Sequence, residues 1–555
     1  MVKYVNHMIL VMEERIMKKV GKIVAVALAA SLLAGCGSGT KTDTSTFRFA
    51  SELDIMGMDS SVIDDGMSFT AIHAITEGLM GNDKDGKTEK AVAKDYKVSD
   101  DRKTYTFTLR DDAKWSNGDD VTANDFVYAW KRIIKNAGNY AYMLGSEGAN
   151  VKNADALIEK GTQATDKELN TLGVKAADKK TLVVELEAPV PYFLDLMTFP
   201  CYYPINQKFA EKAGKKYATT PDNTLSNGAF VMSKWTKGKS AEFTKNDKYY
   251  DKDAVKIKTL HMDLSMKPQS ASASFDSKKV DYATISSDLV DKYKGKDVYK
   301  SFNEGYLWYL EPNHLNKDLA NVNIRKALSY AINRKSLCTD VLKDGSKEAT
   351  GFVPAELSQS PDGKDFRKVA GSFTSYDMKK AQEAFDQGLK ELGKKEVTLE
   401  LLYGSDESPA DKVAEYIQTN FAKIKGLKIE MKTTTKQDRI YNRMKNGKFD
   451  LAITRWGPDY ADPTTYLNLM CTGNSNNYGK YENKAYNGLM KQIQNETDVN
   501  KRYDLMVKAE KTAMDEMANI PVFEKGGSAL QVTNVSGLVH KPVGVPYTFT
   551  YVEVK

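Results

Sequence analysis

Residues 449–477 read FDLAITRWGPDYADPTTYLNLMCTGNSNN, a strand pattern that runs into acidic and aromatic residues. Phe449, Leu451 and Ile453 alternate with polar or small residues, and this period of two predicts a half-buried strand. The segment 455–458, Arg-Trp-Gly-Pro, predicts its end, because proline donates no main-chain hydrogen bond and glycine frees the backbone. The cluster that follows contains Asp459, Tyr460, Asp462 and Tyr466. Such a strand end suits an extended, positively charged ligand, but an ordinary strand-to-loop transition explains it equally well.

Residues 17–36 read MKKVGKIVAVALAASLLAGC and have the organisation of a secretory signal. Three lysines precede an apolar run at 23–33, which is shorter than the roughly 18 residues needed to span a bilayer. The run leads to Leu33-Ala34-Gly35-Cys36, which resembles the lipobox of bacterial lipoproteins. That resemblance implies cleavage before Cys36 and attachment of acyl chains, palmitate among them, to this residue.

We therefore predict a signal peptide over 1–35, with Met17 as an alternative start, and a lipid-anchored tether over 36–46. Two acyl chains suffice for stable anchoring where one would be marginal. The prediction places the protein on the outer face of the cell membrane, in a Gram-positive bacterium.

The 520 residues after the predicted signal peptide carry 75 Lys and Arg against 72 Asp and Glu, a net charge of +3. At about 100–200 residues per domain, this length predicts two to four domains. The balanced charge gives no basic patch, so we predict no nucleic-acid partner. Cys201, Cys338 and Cys471 are too widely spaced for a disulfide framework or a metal site, although one bridge is left open.

Motifs for catalysis are lacking from the sequence. The five histidines are far apart, and no HExxH, GxSxG, phosphate-binding loop or GxGxxG occurs in a fitting context. We predict neither an enzyme, nor a cofactor, nor a metal site. The 30 tyrosines and five tryptophans favour a binding cleft lined with aromatic faces.

Residues 96–130 form a second informative block, YKVSDDRKTYTFTLRDDAKWSNGDDVTANDFVYAW. Alternation over 105–109 predicts a strand, and Asn117-Gly118 predicts a turn. Thr122 is suited to cap a helix over 126–134, with Asp125 in the capping-box position. Every residue in this block therefore has a structural role.

The same phrase closely resembles the signature of the solute-binding proteins that serve oligopeptide and dipeptide ABC importers. The matching pieces are Leu109-Arg110, the turn 113–118 (AKWSNG) and the helix start 121–127 (VTANDFV). Further blocks extend the resemblance over nearly the whole mature chain, namely 181–191, 226–230, 245–251, 322–334, 351–354 and 518–523.

The resemblance implies an α/β, two-lobed periplasmic-binding-protein-like fold of type II, with an extra domain on the first lobe and a two-strand hinge. Helices predicted at 376–392 and 410–425 each precede a strand, which fits an α/β fold. The implied boundaries are 47–80, 223–309 and 524–555 for lobe 1, 81–222 for the extra domain, and 310–523 for lobe 2. Two crossing strands would let the lobes close as rigid bodies.

A binder of peptides of any sequence must use what all peptides share. Pairing with a strand edge supplies affinity without reading side chains. A buried carboxylate supplies a charge-assisted hydrogen bond to the α-ammonium, which would be costly to leave unpaired. In the family this carboxylate is the Asp of a Trp-x-x-Asp-Tyr phrase, which here is 456–460, so the resemblance implies Asp459. The alternative is that Asp459 only caps a turn.

The main chain of Arg455–Gly457 would pair with the peptide, and the matching segment of lobe 1 is Asp64-Asp65-Gly66. The candidate pocket walls are Trp308, Tyr309, Tyr142 and the loop Ser475-Asn476-Asn477. Some members carry an arginine near the peptide carboxylate at the position of Ile453, whereas here the arginine is Arg455, so the recognition of the carboxyl end stays open. The predicted ligand-binding residues are Asp459, Trp456, Gly457, Arg455, Tyr460, Asp64, Asp65, Gly66, Trp308 and Asn476.

The resemblance implies a monomer that captures extracellular oligopeptides and delivers them to the permease subunits of a membrane ABC transporter. Alternatives within the fold are a receptor for a signalling peptide such as a pheromone, or a binder of an oligosaccharide or nickel chelate. Asp459 argues against the last two, because neither ligand brings an ammonium. A peptidase is a further alternative that no motif supports.

Overall fold

The computed structural model describes residues 43–555. The predicted signal peptide, Cys36 and the tether up to residue 42 lie outside the described residues.

Strands and helices alternate along much of the described chain. The strands are β1 (Thr46–Ala50), β2 (Met80–Asn82), β3 (Thr88–Lys90), β4 (Ala93–Val98), β5 (Thr104–Leu109), β6 (Val174–Ala176), β7 (Thr181–Glu185), β8 (Phe230–Thr236), β9 (Ser240–Lys245), β10 (Thr259–Asp263), β11 (Tyr282–Ile285), β12 (Tyr299–Pro312), β13 (Lys347–Glu348), β14 (Val397–Gly404), β15 (Leu427–Thr434), β16 (Leu451–Trp456), β17 (Ile520–Gln531), β18 (Val535–Ser536), β19 (Val539–His540), β20 (Tyr547–Thr548) and β21 (Glu553–Val554). The α-helices are α1 (Gly66–Ile75), α2 (Ala123–Lys135), α3 (Ala154–Lys160), α4 (Asp166–Leu169), α5 (Phe193–Leu196), α6 (Gln207–Ala213), α7 (Pro268–Asp276), α8 (Ser287–Tyr293), α9 (Val322–Ala331), α10 (Arg334–Ser336), α11 (Phe366–Ala370), α12 (Met378–Leu392), α13 (Ala410–Phe421), α14 (Thr464–Leu467), α15 (Lys484–Asn495) and α16 (Val499–Asp515).

One large sheet runs through the body of the molecule in the order β15-β14-β16-β12-β17-β11-β1-β10-β9-β8, with β13 added beside β17. A separate four-stranded sheet has the order β4-β5-β7-β6. Non-consecutive neighbours, such as β16 beside β12, show that distant parts of the chain meet in the large sheet.

Two separate large hydrophobic cores fill the two ends of this sheet. The first draws mainly on residues 47–264 and 529–554, and the second on residues 307–523. The molecule is therefore a two-lobed α/β protein. The four-stranded sheet lies within 81–222, the predicted extra domain, and its side chains pack into the first core. The exact domain boundaries remain predictions.

β12 and β17 are the two strands that cross between the cores. They pair antiparallel, and their register shifts between Asn303 and Leu307. A β-bulge of this kind bends the strand locally. Gly305 has a φ of 81° at the bulge, and a Cβ atom there would lie 1.8 Å from the carbonyl oxygen of Pro542. The bend separates the part of β12 that serves the first core from the part that serves the second.

Local patterns in the sequence predicted many elements with small errors at their ends. The strand over 105–109 is confirmed as β5, and the helix after Thr122 is confirmed as α2. The Asp125 carboxylate accepts hydrogen bonds from the Thr122 N–H at 2.8 Å and from Trp115 Nε1 at 3.2 Å. The strand predicted from Phe449 instead begins at Leu451 and continues through Arg455 and Trp456, because pairing with β12 extends to Trp456.

No helix within residues 43–555 is long and apolar enough to cross a membrane. The thiols of Cys201, Cys338 and Cys471 are all free, so none of these three residues forms the bridge that the sequence left open. No cluster of three or more His, Cys, Asp or Glu side chains in that range could hold a metal ion.

Candidate functional site

Strand β16 has one fully paired edge and one edge that is largely open. On one side it pairs with β12 along its whole length, from Leu451 opposite Pro312 to Trp456 opposite Leu307. On the other side β14 pairs only with Leu451 and Ala452. Beyond Ala452, no strand of the described chain covers this second edge.

The hydrogen-bond alternation identifies which main-chain groups face the open edge. The Asn313 N–H donates to the Asp450 carbonyl at 2.8 Å, so positions 450, 452, 454 and 456 bond to β12. Pro312, which has no N–H group, lies opposite Leu451, one of the positions that do not bond to β12. The N–H and C=O groups of Arg455 therefore point away from β12, and extending the alternation by two residues assigns Gly457 to the same edge. A Cβ atom at Gly457 would lie 2.5 Å from the Tyr306 ring, so glycine permits this close approach.

Asp459 follows the open edge directly after Pro458, and its carboxyl group is partly buried. The Tyr142 hydroxyl donates to its Oδ2 at 3.0 Å. Burial raises the pKa of Asp459 to about 7, against the effect of the Tyr142 hydrogen bond, and the nearby Glu147 carboxylate adds to the rise. No lysine or arginine of the described residues contributes to this shift. The ionised carboxylate therefore lacks a cationic partner, which a bound ammonium would supply.

Asp462, rather than Asp459, performs the local capping. It accepts hydrogen bonds from the Thr464 N–H at 3.0 Å and from the Thr464 hydroxyl at 2.5 Å. Arg502 donates to both of its oxygens, at 2.7 Å and 3.0 Å. Burial opposes ionisation, but the Arg502 guanidinium holds the pKa of Asp462 below its usual value. This buried ion pair fixes the loop that carries Asp459.

Residues 459 and 460 touch the first lobe, although they follow a strand of the second. The Tyr460 ring stacks on the Tyr192 ring with centroids 4.2 Å apart and an interplanar angle of 3°. Tyr142, the partner of Asp459, belongs to the same side of the molecule as Tyr192. The site thus lies where the two lobes meet.

A small cavity of about 20 Å³ opens beside the Asp459 carboxylate. Its walls include Tyr142 and Glu147 from one lobe and Trp456, Thr465 and Asn476 from the other. A volume of this order holds about one water molecule. An alkylammonium head is of similar size, so the cavity suits the charged end of a chain rather than a bulky group.

The segment Asp64-Asp65-Gly66 lies at the start of α1 in the first lobe. Asp65 is the N-cap of that helix and accepts from the Ser68 N–H at 2.8 Å. Asp64 is exposed and accepts from Asn139 Nδ2 at 2.5 Å. The N–H groups of Asp64 and Asp65 have no main-chain partner among the described residues. Burial raises the pKa of the Tyr140 hydroxyl, with contributions from both Asp459 and Asp64, so this ring lies near both carboxylates.

Neither Arg455 nor Trp308 simply lines a pocket. The Arg455 guanidinium lies 4.5 Å from the Tyr306 ring centroid and donates to Glu407 at 3.3 Å. Trp308 is buried in the second core, 2% exposed, and stacks on Phe523 with centroids 5.5 Å apart. Trp308 therefore supports the strand from behind, whereas Asn476 lines the cavity beside Asp459.

Sequence reasoning missed Glu147, Tyr140 and Tyr192, which lie near Asp459 or Tyr460. They come from the segments 139–148, which contains a short 3-10 helix at Ala141–Leu144, and 189–192, and neither segment carries a periodic pattern. Only the three-dimensional approach of the lobes brings them to Asp459. The aromatic richness of the chain was the one available signal, and it does not single out positions.

The fold and the site together define a two-lobed solute-binding protein. The profile of bacterial extracellular solute-binding proteins, family 5, middle region, matches residues 87–478, and the chain belongs to this family. A dipeptide-binding protein of Lactococcus lactis is 34% identical over 97% of this chain and 99% of the relative.

Two solved structures extend this comparison over the described fold. Listeria monocytogenes OppA bound to peptide is 35% identical, with a TM-score of 0.76 over 93% of this chain and 100% of that chain. The substrate-binding domain of an oligopeptide ABC transporter from Bacillus anthracis is 34% identical, with a TM-score of 0.76 over 93% of this chain and 99% of that chain.

Proposed function

We propose that this protein captures extracellular oligopeptides between its lobes and delivers them to a membrane ABC transporter. Family membership and relatives that bind peptides support this function. The observation that carries it is the open edge of β16, which leads directly to the Asp459 carboxylate, whose pKa no lysine or arginine of the described residues lowers.

The proposed binding mode uses only groups that every peptide has. The peptide adds as a strand to the open edge and exchanges main-chain hydrogen bonds with Arg455 and Gly457. Its α-ammonium enters the small cavity and pairs with Asp459, while Trp456 and Tyr460 flank that end. A peptide with a blocked amino terminus leaves Asp459 without a cation, so the site selects for a free terminus.

Closure of the lobes completes the proposed site. The N–H groups of Asp64 and Asp65, which have no main-chain partner among the described residues, supply a second main-chain contact from the first lobe. We propose that lobe 1 comprises residues 47–80, 223–309 and 524–555, the extra domain residues 81–222, and lobe 2 residues 310–523. The bulge in β12 supports bending between them. We also propose that the ligand is bound without cleavage, as expected for a family of solute-binding proteins.

Uptake of varied peptides is favoured over reception of one signalling peptide. The recognition groups proposed here are main-chain groups and a single carboxylate, which do not read side chains. An oligosaccharide or a nickel chelate would offer no ammonium to Asp459. Binding of many peptides of unrelated sequence, rather than of one peptide alone, is the observation that would support uptake.

Methylation of peptide N–H groups tests the strand-pairing mode. A methyl group on an N–H that bonds to β16 should weaken binding by about 1 kcal/mol, because one hydrogen bond is lost. The same methyl one residue along points away from the open edge and is the matched control. Calorimetry with a methyl scan should therefore give losses that alternate with a period of two. Equal losses at every position, or none, would contradict pairing with β16.

We further propose that the protein is a monomer anchored through lipid on Cys36 to the outer face of the membrane of a Gram-positive bacterium. The lipobox-like segment 33–36 supports this anchor. Replacing Cys36 by serine should remove palmitate labelling and release the protein from the membrane fraction. Cys471→Ser, at a half-buried thiol far along the chain, is the control and should keep both. Retained labelling in Cys36→Ser would overturn the proposal.

A further inference from the structure

A second, larger cavity adjoins the site and has no role in the binding mode described so far. Its volume is about 650 Å³, within the range of small-molecule pockets. One wall comes from residues within 146–150 and 189–192, and the other from residues within 464–474 and 487–502. The cavity therefore lies between the lobes, as the small cavity beside Asp459 does.

The two cavities share part of their lining. Glu147, Asn468 and Asn474 face both the small cavity and the large one. In a peptide the first side chain leaves the carbon next to the α-ammonium. With the ammonium in the small cavity, that side chain can pass these shared residues into the large cavity, where the volume accepts even the longest natural side chain.

Glu147 places a carboxyl group in the lining of this cavity. Its carboxyl group is partly buried, and burial together with the Asp155 carboxylate raises its pKa, while a hydrogen bond with Ser475 opposes the rise. No described lysine or arginine contributes to that shift. Of the cations that line the cavity, Arg502 is bound to Asp462, and Lys491 is exposed.

We propose that the large cavity receives the first side chain of the peptide and that Glu147 makes the protein prefer lysine or arginine there. The inference rests on the proposed function, because Asp459 must hold the α-ammonium for the first side chain to reach Glu147. Two carboxylates then meet two cations: the terminal ammonium at Asp459 and the side-chain cation at Glu147. Pairing of this kind is favourable in a partly buried site where no lysine or arginine of the described residues shifts the pKa of either carboxylate.

The competing arrangement is that Glu147 and Asp459 share the single α-ammonium. In that case Glu147 would contribute to the binding of every free peptide, whatever its first residue. The two arrangements differ in one measurable quantity, the affinity ratio between peptides with a cationic and a neutral first side chain of the same length.

The test uses calorimetry with tetrapeptides that differ only in lysine or norleucine at position one, each with a free amino terminus. The protein should bind the lysine peptide roughly tenfold more tightly. Glu147→Gln should abolish that ratio, because it should weaken the lysine peptide about tenfold more than the norleucine peptide. Glu159→Gln, the same substitution at an exposed residue of α3, should keep the tenfold ratio.

Each other outcome counts against the inference. Equal affinity for the two peptides in the unaltered protein overturns the preference but leaves peptide capture intact. An equal loss for both peptides in Glu147→Gln supports the shared-ammonium arrangement instead. Failure of both peptides to bind at all would overturn the proposed function together with this inference.

Discussion

Replacing Asp459 by asparagine is expected to weaken the binding of peptides with a free amino terminus by at least about 1–3 kcal/mol, or roughly 5- to 150-fold. Asparagine keeps the shape of the side chain but removes the charge that balances the α-ammonium. No lysine or arginine of the described residues contributes to the pKa of this carboxylate, so the α-ammonium of the ligand is the cation that it would pair with.

N-acetylated peptides provide the control for that effect. They carry no terminal charge, so they should bind the unaltered protein weakly and lose little more in Asp459→Asn. Asp411→Asn, at an exposed position of α13, should change neither class of peptide. Isothermal calorimetry of both peptides on all three proteins gives the comparison. An equal loss for free and acetylated peptides in Asp459→Asn would show that the residue supports the structure without touching the amino terminus.

Replacing Arg502 by methionine is expected to lower the free energy of unfolding by about 3–5 kcal/mol. Asp462 would then remain buried without the guanidinium that now bonds both of its oxygens. Arg502 also lies 5.9 Å from the centroid of the Tyr192 ring, which stacks on Tyr460. The substitution should therefore also loosen the loop that positions Asp459.

A double replacement separates the charge effect from the loss of packing. Asp462→Asn together with Arg502→Met removes both charges and should regain much of the lost stability, because no buried charge is left unpaired. Lys501→Met changes the preceding, exposed lysine and should have little effect. Urea denaturation measures all of these variants. A loss in Arg502→Met no larger than in Lys501→Met would contradict the structural importance of the pair.

The sequence predicted the fold well wherever local pattern and family resemblance agreed. Alternation around Leu451 and Ile453 located β16, and the phrase 456–460 directed attention to Asp459. Local signals could not show that β14 leaves β16 after Ala452, since that divergence depends on the packing of two distant strands. The open edge is therefore a property of the tertiary structure alone.

Individual side chains of the site were harder to predict than its main chain. Trp308 was a reasonable wall candidate by residue type, but its position on β12 directs it into the second core. The sequence did not predict the structural role of Asp462, because its partner, Arg502, lies 40 residues away. Glu147 lies in a loop without a pattern and reaches Asp459 only across the junction of the lobes.

A crystal structure of the protein with a bound peptide tests the central claim most directly. The account predicts that the peptide α-ammonium lies within hydrogen-bonding distance of the Asp459 carboxylate. It also predicts that the peptide main chain pairs with Arg455 and Gly457 along the open edge of β16. A peptide bound between the lobes with its amino terminus away from Asp459, or with that edge of β16 still unpaired, would contradict the account.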